Sequence, residues 1–592
     1  MVMTRSTCRL AGRFAACGLV LLGVMAGSGA GSAASSATRV RFQWDWATER
    51  PQAAAMNAVG AAQGRRQRLP LVHDFSHHHV IFPESVPTNV LAAVRNDPRF
   101  LQQYLRRHAR LQAPFNPYDV PDPSAAHTIQ RDWSVSLNGG SAGTIGTPAK
   151  YVFDVNAPPS CTTDYVVTGV SIAGSATQAN MIGLNSLYNT PTGNGLCAGI
   201  APTVVFAYNV GPGIINSYVG LSLDGTKVAF NENNGGSSFF HILKMASGAG
   251  NGTSASAAVQ PGVGNAAVDT KIALTGGVST APFVDYVADV AYVTTSDNVM
   301  HKYKGVFLGI PTEVTAAGTG WPATFGGGGG ISTPVFDSVS RHIFITNSGN
   351  GCIDYVDDSV APAVVHSGLF PFSPGLSTAA PVIVDTGNQR VYGFSSNGGG
   401  TGAIVGQADT FLTAASQVTV SVGGATGHNL PLMGDFNENY YNGLTASARL
   451  YVVGNDNSGN RVPALYAIGF GAGFKLNAAP SNGPVLVATN VAGLNASPVT
   501  AFFNSSLNKQ FIFFGVSNSC SAIVTTGCVR SVDVTGNAFP TAVTVNTVIL
   551  AAAGGTGGIT VDNVSLAAGA SSVYYTTLAG KTLVKATQAL LQ

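Results

Sequence analysis

STPVFDSVSRHIFITNSGNGCIDYV, residues 332–356, is the stretch that decides the fold. It contains an apolar run that ends at Asp337, a polar turn, a second run at 342–346 and a Gly-rich turn before Cys352. Short apolar runs separated by turn residues are typical of antiparallel strands joined by hairpins. The stretch therefore predicts two β-strands and the start of a third.

Related units recur on both sides of this stretch. Each has an apolar strand, an Asp or Asn, a turn, and an aromatic-rich strand that begins near a basic or polar residue. Residues 380–394 match most closely, with Asp385 and Arg390 at the positions of Asp337 and Arg341. The other units lie at 217–231, 282–294, 430–453, 497–514 and 558–576, and a more divergent one at 164–208.

These repeats predict an all-β protein, a closed β-propeller of seven or eight four-stranded blades, because small sheets of this kind are stable only when they stack on neighbours. We prefer eight blades, since residues 164–208 contain enough strand for one. In that arrangement Tyr151, Val152 and Phe153 close the ring as the outer strand of the last blade. Two β-sandwich domains are the alternative.

The two central units resemble the blades of secreted propellers with YVTN-type repeats, in which an Asp-led turn precedes a Tyr-Val-Thr-Asn-like strand. DSVSRHIFITNSGNGCIDYVD and DTGNQRVYGFSS carry this resemblance, with Ile343 to Asn347 at the position of that strand. The likeness covers residues 215–590. It implies a fold and an extracellular setting, and it transfers no catalytic residue.

The N-terminus indicates export. Arg5, Arg9 and Arg13 precede an apolar run at 14–26 that is too short to span a bilayer, and small residues follow as far as Ala34. We therefore expect a signal peptide at 1–34, a basic and partly helical segment with a linker at 35–150, and the propeller at 151–592. The mature protein is predicted to be secreted or periplasmic, with no transmembrane segment.

Charge separates the last two regions. Residues 35–150 contain 12 Arg and 1 Lys against 8 acids, whereas residues 151–592 contain 14 basic and 20 acidic residues. A helix is predicted after Asp97, with Leu101 and Tyr104 on one side and Arg99 and Arg107 among the arginines placed mostly on the other. We expect this helix to lie on one face of the acidic propeller; contact with an anionic surface is the alternative.

Four histidines lie at positions 73, 77, 78 and 79 in the same basic segment. Imidazole is a common metal ligand, so a metal site is conceivable. No second His or carboxylate cluster plainly completes a tetrahedral set. We therefore expect a polar loop of satisfied or exposed histidines, and we predict no cofactor.

Five cysteines remain after the export signal. Pairing of sequence neighbours in an exported protein predicts the structural disulfides Cys161–Cys197 and Cys520–Cys528. Cys352 is left over, and no histidine is placed in sequence to activate it as a nucleophile.

We expect a non-catalytic binding or scaffold propeller of unknown extracellular or envelope ligand, a glycan or a protein. Its Asn-, Ser-, Gly- and Thr-rich loops offer adaptable hydrogen-bonding surface. The aromatic residues expected to contact the ligand are Tyr188, Phe436, Tyr440 and Tyr441.

The alternative is an exported propeller enzyme, a lyase or hydrolase acting at the central channel. His301, His342 and His428 come from three units, and this alternative requires them to converge at the channel. No partner stands at a recognisable spacing to orient them, so we assign no catalytic residue. Nucleic-acid binding is disfavoured by export and by the acidic propeller.

Overall fold

The structure is a computed structural model of the 592-residue chain. It describes residues 39–41, 69–83, 85–95, 97–108, 127–155, 157–199, 202–368, 380–396, 402–424, 432–457, 462–489, 494–505, 507–542, 547–563, 569–588 and 591. The predicted export signal and His428 lie outside the described residues.

The chain forms an eight-bladed β-propeller, as predicted. Each blade is an antiparallel meander of four strands, here lettered A to D from the centre outwards, and the A strands of neighbouring blades contact each other. Strands A to D are Ala149–Val152, Tyr165–Gly169, Met181–Asn185 and Thr203–Tyr208 in blade 1, and Gly220–Leu221, Lys227–Glu232, Phe239–Lys244 and Val268–Ala273 in blade 2. They are Phe283–Asp285, Val290–Thr294, Val299–Lys304 and Thr312–Glu313 in blade 3, and Val335–Phe336, His342–Asn347, Cys352–Asp357 and Val364–Ser367 in blade 4.

Strands A to D are Ile383–Asp385, Arg390–Ser395, Ile404–Asp409 and Val418–Ser421 in blade 5, and Asp435–Phe436, Arg449–Asn455, Pro463–Gly469 and Asn482–Leu486 in blade 6. They are Thr500–Asn504, Lys509–Val516, Cys528–Asp533 and Thr547–Ala551 in blade 7, and Thr560–Asp562, Ser572–Thr576, Thr582–Gln588 and Ile129–Ser136 in blade 8. A short strand, Ala323–Thr324, also pairs with strand C of blade 3.

The ring is closed by a strand from the region, residues 35–150, that was predicted to be a partly helical segment and linker. Ile129–Ser136 pairs with Thr582–Gln588 and is the outer strand of blade 8. The prediction that Tyr151, Val152 and Phe153 fill this place is wrong, because Ala149–Val152 pairs with Tyr165–Gly169 as the innermost strand of blade 1. Strands from the segment before residue 150 therefore belong to the propeller sheets.

The repeated Asp of the sequence stabilises the turn between strands A and B. The carboxylate of Asp337 accepts a hydrogen bond from the backbone N–H of Ser340 (2.9 Å), and that of Asp385 accepts one from the N–H of Asn388 (2.8 Å). Asn, Asp and Ser favour turns because their side chains replace a missing backbone partner in this way. The repeat thus records one turn geometry used in successive blades.

Threonine hydroxyls link neighbouring blades. Thr294 Oγ1 donates to the carbonyl of Ser332 in the next blade (2.9 Å), and Thr346 Oγ1 donates to that of Ala380 (3.0 Å). Thr560 Oγ1 donates to the carbonyl of Pro148 (2.5 Å), which joins blade 8 to blade 1. Because these groups are buried, each would be costly to leave unpaired.

The core lies between the blades. Strand B of blade 4, His342–Asn347, is buried along its whole length, since both of its faces pack against neighbouring sheets. A strand covered on both faces shows no alternation of apolar and polar residues, which explains why the apolar residues Ile343, Phe344 and Ile345 are consecutive.

Helix is rare among the described residues. The α-helices are α1 (Thr88–Val94), α2 (Pro98–His108) and α3 (Glu438–Tyr441). Separate 3₁₀ turns lie at Phe75–His78, Ala414–Ser416, Ala472–Phe474 and Thr535–Asn537. Arg39–Arg41 pairs with Ser85–Pro87 in a separate two-stranded sheet. None of the described helices has the length and apolarity needed to cross a membrane.

Both predicted disulfides are present. Cys161–Cys197 joins the A–B and C–D connections of blade 1, and Cys520–Cys528 pins the B–C hairpin of blade 7. Cys352 is in no disulfide and lies half-buried at the start of strand C in blade 4.

The longer disulfide loop is expected to contribute more to stability. Replacing both cysteines of the Cys161–Cys197 pair by Ala should lower the free energy of unfolding by up to about 4 kcal/mol, and the Cys520–Cys528 pair by up to about 2.5 kcal/mol, because the closed loops differ in length. Denaturant titration of the two double variants measures this order. A larger loss for Cys520–Cys528 would contradict it.

Candidate functional site

The protein's own N-terminal segment crosses the central channel. Leu71–His73 pairs with strand A of blade 1, and Val80–Ile81 pairs in parallel with strand A of blade 5. Blades 1 and 5 are opposite each other in a ring of eight, so residues 71–81 run from one side of the channel to the other. We call this segment the channel plug.

The clustered histidines belong to the plug and are buried. His78 Nδ1 lies 3.2 Å from the carboxylate of Asp435, and His79 Nδ1 lies 3.2 Å from the carbonyl of Val382. Burial, with a smaller contribution from His78, lowers the pKa of His79 to about 3, so this ring is neutral. Across the part of the chain that the structure describes, no group of three or more His, Cys, Asp or Glu side chains is arranged to hold a metal ion.

Helix α2 covers the plug with a polar face. Asp97 caps the helix by accepting a hydrogen bond from the N–H of Arg99 (2.9 Å). The Arg99 guanidinium donates to the carbonyl of Val284 (2.5 Å) and lies over the ring of Phe283. Arg107 pairs with Glu438 (3.1 Å). Arg99 and Arg107, which were predicted on the side of the helix opposite Leu101 and Tyr104, are both buried and contact the propeller. The helix thus lies on one face of the propeller, as expected.

The histidines required for an enzyme at the channel are not brought together. His301 lies in strand C of blade 3 and pairs with Glu313 of the same blade (2.6 Å). His342 lies in strand B of blade 4, contacts the carbonyl of Thr410 (2.7 Å) and stacks on Tyr355. Neither is in a channel-lining A strand.

Two of the four predicted ligand-contacting aromatics are structural. Tyr188 and Tyr440 are fully buried; the Tyr188 hydroxyl contacts Asp164, and the Tyr440 hydroxyl contacts Asp385. Burial and neighbouring carboxylates raise the pKa of both phenols well above the usual range, so both are protonated donors. Both rings are enclosed by the protein in this structure, and a ligand role for them stays a prediction.

The other two aromatics line a small cleft beside α2. Phe436 and Tyr441 face His78, Gln103 and Arg107 there. Phe436 itself is 1% exposed, and Tyr441 is half-buried beneath the Arg107 guanidinium. A ligand role for these two stays a prediction.

A buried ion-pair network in blade 2 was not foreseen. His241 Nδ1 lies 3.0 Å from Asp269 and Nε2 lies 3.0 Å from Glu232. Burial opposes the charge on His241, but hydrogen bonds to Asp269 and Glu232 outweigh it and raise the pKa of the imidazole. Burial likewise opposes ionisation of Glu232, yet the bonds from His241 and the Gly213 N–H lower the pKa of the carboxyl.

This network predicts a pH dependence of stability. Because the pKa of His241 is raised in the folded protein, its protonated ring stabilises the fold. This stabilisation is complete below the ordinary pKa of 6.5 and is lost as the pH rises through the folded-state pKa. Because the pKa of Glu232 is lowered, its carboxylate stabilises the fold fully above the ordinary pKa of 4.5, and this stabilisation is lost as the pH falls through the folded-state pKa. The difference in melting temperature between the wild type and His241→Gln should therefore be widest between pH 4.5 and 6.5 and should shrink at alkaline pH. A difference that does not change with pH would contradict this.

The two faces of the propeller differ in charge. The A–B and C–D connections meet at one face, which also carries α2; we call it the plug face. The B–C and D–A connections meet at the other, which we call the open face. The eight D–A connections contain no Asp, Glu, Lys or Arg, and the eight B–C connections contain only Asp297, Asp456, Arg461 and Lys581. By sequence, the connections of the open face are therefore almost without formal charge.

A cleft on the open face has a neutral polar lining. It has a volume of about 110 Å³ and lies where blades 7 and 8 meet residues 144–145. Asn495, Ser497, Ser517 and Thr556 supply amide and hydroxyl groups, and Leu578 is among its apolar walls. Such a mixture of apolar wall and a few polar groups is typical of small-molecule sites.

Comparison with known proteins gives distant likenesses to solved structures. No family model and no curated protein matches the sequence. Among solved structures, BamB from Moraxella catarrhalis is 12% identical, with 78% of this chain and 100% of that chain covered and a TM-score of 0.38. The dihydro-heme d1 dehydrogenase NirN in complex with DHE is 11% identical over 75% and 76% of the two chains, with a TM-score of 0.38. Hsv2 of Kluyveromyces lactis is 12% identical over 60% and 88%, with a TM-score of 0.32. Likeness at this level transfers no ligand and no activity.

Proposed function

We propose that this protein is an exported, non-catalytic binding propeller whose open face recognises a neutral, hydroxyl-rich ligand such as an uncharged glycan. The observation that carries the proposal is the near absence of charged residues from the B–C and D–A connections. A face without formal charge offers no complementary partner to an acidic or basic ligand.

The plug supports binding over catalysis. Residues 71–81 cross the channel, and His301 and His342 lie in different blades away from the A strands. General acid–base catalysis needs a titratable group held within hydrogen-bond reach of the substrate. The open face contains few such groups, so its chemistry suits recognition.

The cleft at blades 7 and 8 fits part of a sugar. Hydroxyl and amide groups of Ser517 and Asn495 suit sugar hydroxyls as donors and acceptors, and Leu578 offers an apolar wall to the C–H face of a ring. Surrounding loops rich in Asn, Ser and Thr extend the same chemistry across the face.

Export is part of the same proposal. Disulfides form and persist in oxidising compartments, and the two pairs here agree with the predicted signal at 1–34. We therefore place the protein in the cell envelope or outside the cell.

The test is affinity electrophoresis of residues 35–592 through gels that contain neutral or acidic polysaccharides. We expect retardation by a neutral polysaccharide without change of the polymer. Thr144→Trp, which puts a bulky ring at the cleft, and Asn495→Ala, which removes an amide, should each weaken retardation about tenfold. Leu444→Trp, an exposed site on the plug face, is the matched control and should bind as the wild type does. Retardation by acidic polymers alone, or formation of a product, would overturn the proposal.

A further inference from the structure

Exposed apolar side chains are sorted onto one face of the propeller. Of the twelve large apolar residues exposed in the described part of the chain, eleven lie in A–B or C–D connections or at the first residue of a D strand. The twelfth, Ile523, is 93% exposed in the B–C hairpin of blade 7 on the open face. Single exposed apolar residues are ordinary, but their collection on one face marks an interaction surface.

The two most exposed members of this set on the plug face, and a third exposed residue, lie in neighbouring turns of blade 3. Leu308 is 86% exposed and Ile310 85%, both in the C–D turn of blade 3, and Val287 is 58% exposed in the neighbouring A–B turn. The turn at 305–311, GVFLGIP, contains no charged residue. It presents two aliphatic side chains at its tip.

Hydrogen bonds hold this turn in place. The carboxylate of Asp289 accepts the N–H groups of Phe307 (2.7 Å) and Leu308 (2.9 Å), and Lys227 of blade 2 donates to the carbonyl of Phe307 (2.5 Å). Because the backbone is fixed from both blades, the exposure of Leu308 and Ile310 is built into the fold.

Lysines surround the apolar tip. Lys244 and Lys304 are exposed at the ends of the C strands of blades 2 and 3, and neither forms an ion pair within the described residues. Lys227 is the third. The nearby carboxylates of Asp224 and Asp289 are engaged by the N–H groups of turns, so the three ammonium groups outnumber these two acids. The ammonium groups of Lys244 and Lys304 face solvent, whereas that of Lys227 donates to the Phe307 carbonyl.

We propose that this rim, made of Val287, Leu308 and Ile310 with Lys227, Lys244 and Lys304, docks on a phospholipid bilayer that contains anionic headgroups. Aliphatic side chains at the tip enter the boundary between headgroups and acyl chains, and lysines contact lipid phosphates. A protein partner fits less well, because protein interfaces are enriched in aromatic residues and Arg and depleted of Lys. The open face is then turned away from the membrane.

Vesicle co-sedimentation of residues 35–592 tests this docking, with phosphatidylcholine vesicles that contain or lack phosphatidylglycerol. The wild type should partition onto the anionic vesicles, and more weakly at high salt. Leu308→Asp/Ile310→Asp should reduce the partition coefficient about tenfold or more, because apolar burial is lost and like charge is introduced. Lys244→Ala/Lys304→Ala should reduce binding only to the anionic vesicles.

Ile523 supplies the matched control, since it is equally exposed on the opposite face. Ile523→Asp should bind as the wild type does, and vesicles should shift the fluorescence of Leu308→Trp to the blue without shifting that of Ile523→Trp. The proposal is overturned by an absence of vesicle binding, by binding that survives Leu308→Asp/Ile310→Asp, or by self-association that this double variant abolishes, which would make a second copy the occupant. Glycan retardation is measured without lipid, so each proposal fails or stands separately.

Discussion

A chain that begins at Lys150 is expected not to form the closed propeller. It lacks Ile129–Ser136, which pairs at seven positions with strand C of blade 8 and buries Trp133 against Tyr574. It also lacks the plug. Loss of one blade's outer strand leaves strand C as an unpaired edge, and such edges template aggregation. Size-exclusion chromatography and limited proteolysis should show aggregated or rapidly cleaved protein.

A permuted chain isolates the contribution of the closing strand. Residues 150–592 followed by residues 127–149 return the strand to blade 8 without the plug, and we expect this chain to be monomeric and to resist protease. A monomeric, resistant protein from the simple truncation at Lys150 would contradict the assigned role of Ile129–Ser136.

Lys150→Met is expected to lower the free energy of unfolding by about 3–5 kcal/mol, because removing one partner of a buried ion pair leaves an uncompensated charge. Lys150 in blade 1 lies 3.1 Å from Asp562 in blade 8, and both side chains are fully buried. Its ammonium group also donates to the Tyr188 hydroxyl (2.9 Å). Denaturant titration of the single variant measures the loss.

Two further variants make the Lys150 result specific. Lys150→Met/Asp562→Leu removes both charges and should recover much of the loss, since a buried pair replaced by apolar groups is often close to neutral. Lys509→Met breaks the partly exposed pair with Asp533 (3.5 Å) and should cost less than about 1 kcal/mol. A loss from Lys150→Met no larger than that from Lys509→Met would show that the ring is not closed by this pair.

The two faces of the propeller differ in charge, and each carries one of the two proposed contacts. Turns that begin with Asp concentrate charge at the plug face, where the arginines of α2 also pack. The open face has almost no formal charge. The proposed glycan contact at blades 7 and 8 and the proposed membrane contact at blades 2 and 3 lie on opposite faces of the propeller, so that one can be removed by substitution while the other is kept.

The sequence by itself determined the features that depend on neighbours along the chain. The Asp-led turn after an apolar run, as at Asp337 and Asp385, marks each blade because the residues that make the turn are contiguous. The Cys520–Cys528 pair and the start of α2 at Asp97 are local in the same sense. These signals predicted seven or eight blades with eight preferred, and the structure has eight.

Only the tertiary structure decided which distant segments meet. Ile129–Ser136 pairs with a strand some 450 residues away, as the 453-residue separation of Asp132 and Lys585 shows, and no local pattern distinguishes a closing strand from any other. The same holds for the plug, whose histidines were expected to form a polar loop of satisfied or exposed side chains and are buried between opposite blades. The burial of Tyr440 is a third example, because whether an aromatic residue in a loop faces solvent or a neighbouring blade depends on packing that the chain acquires only when the ring closes.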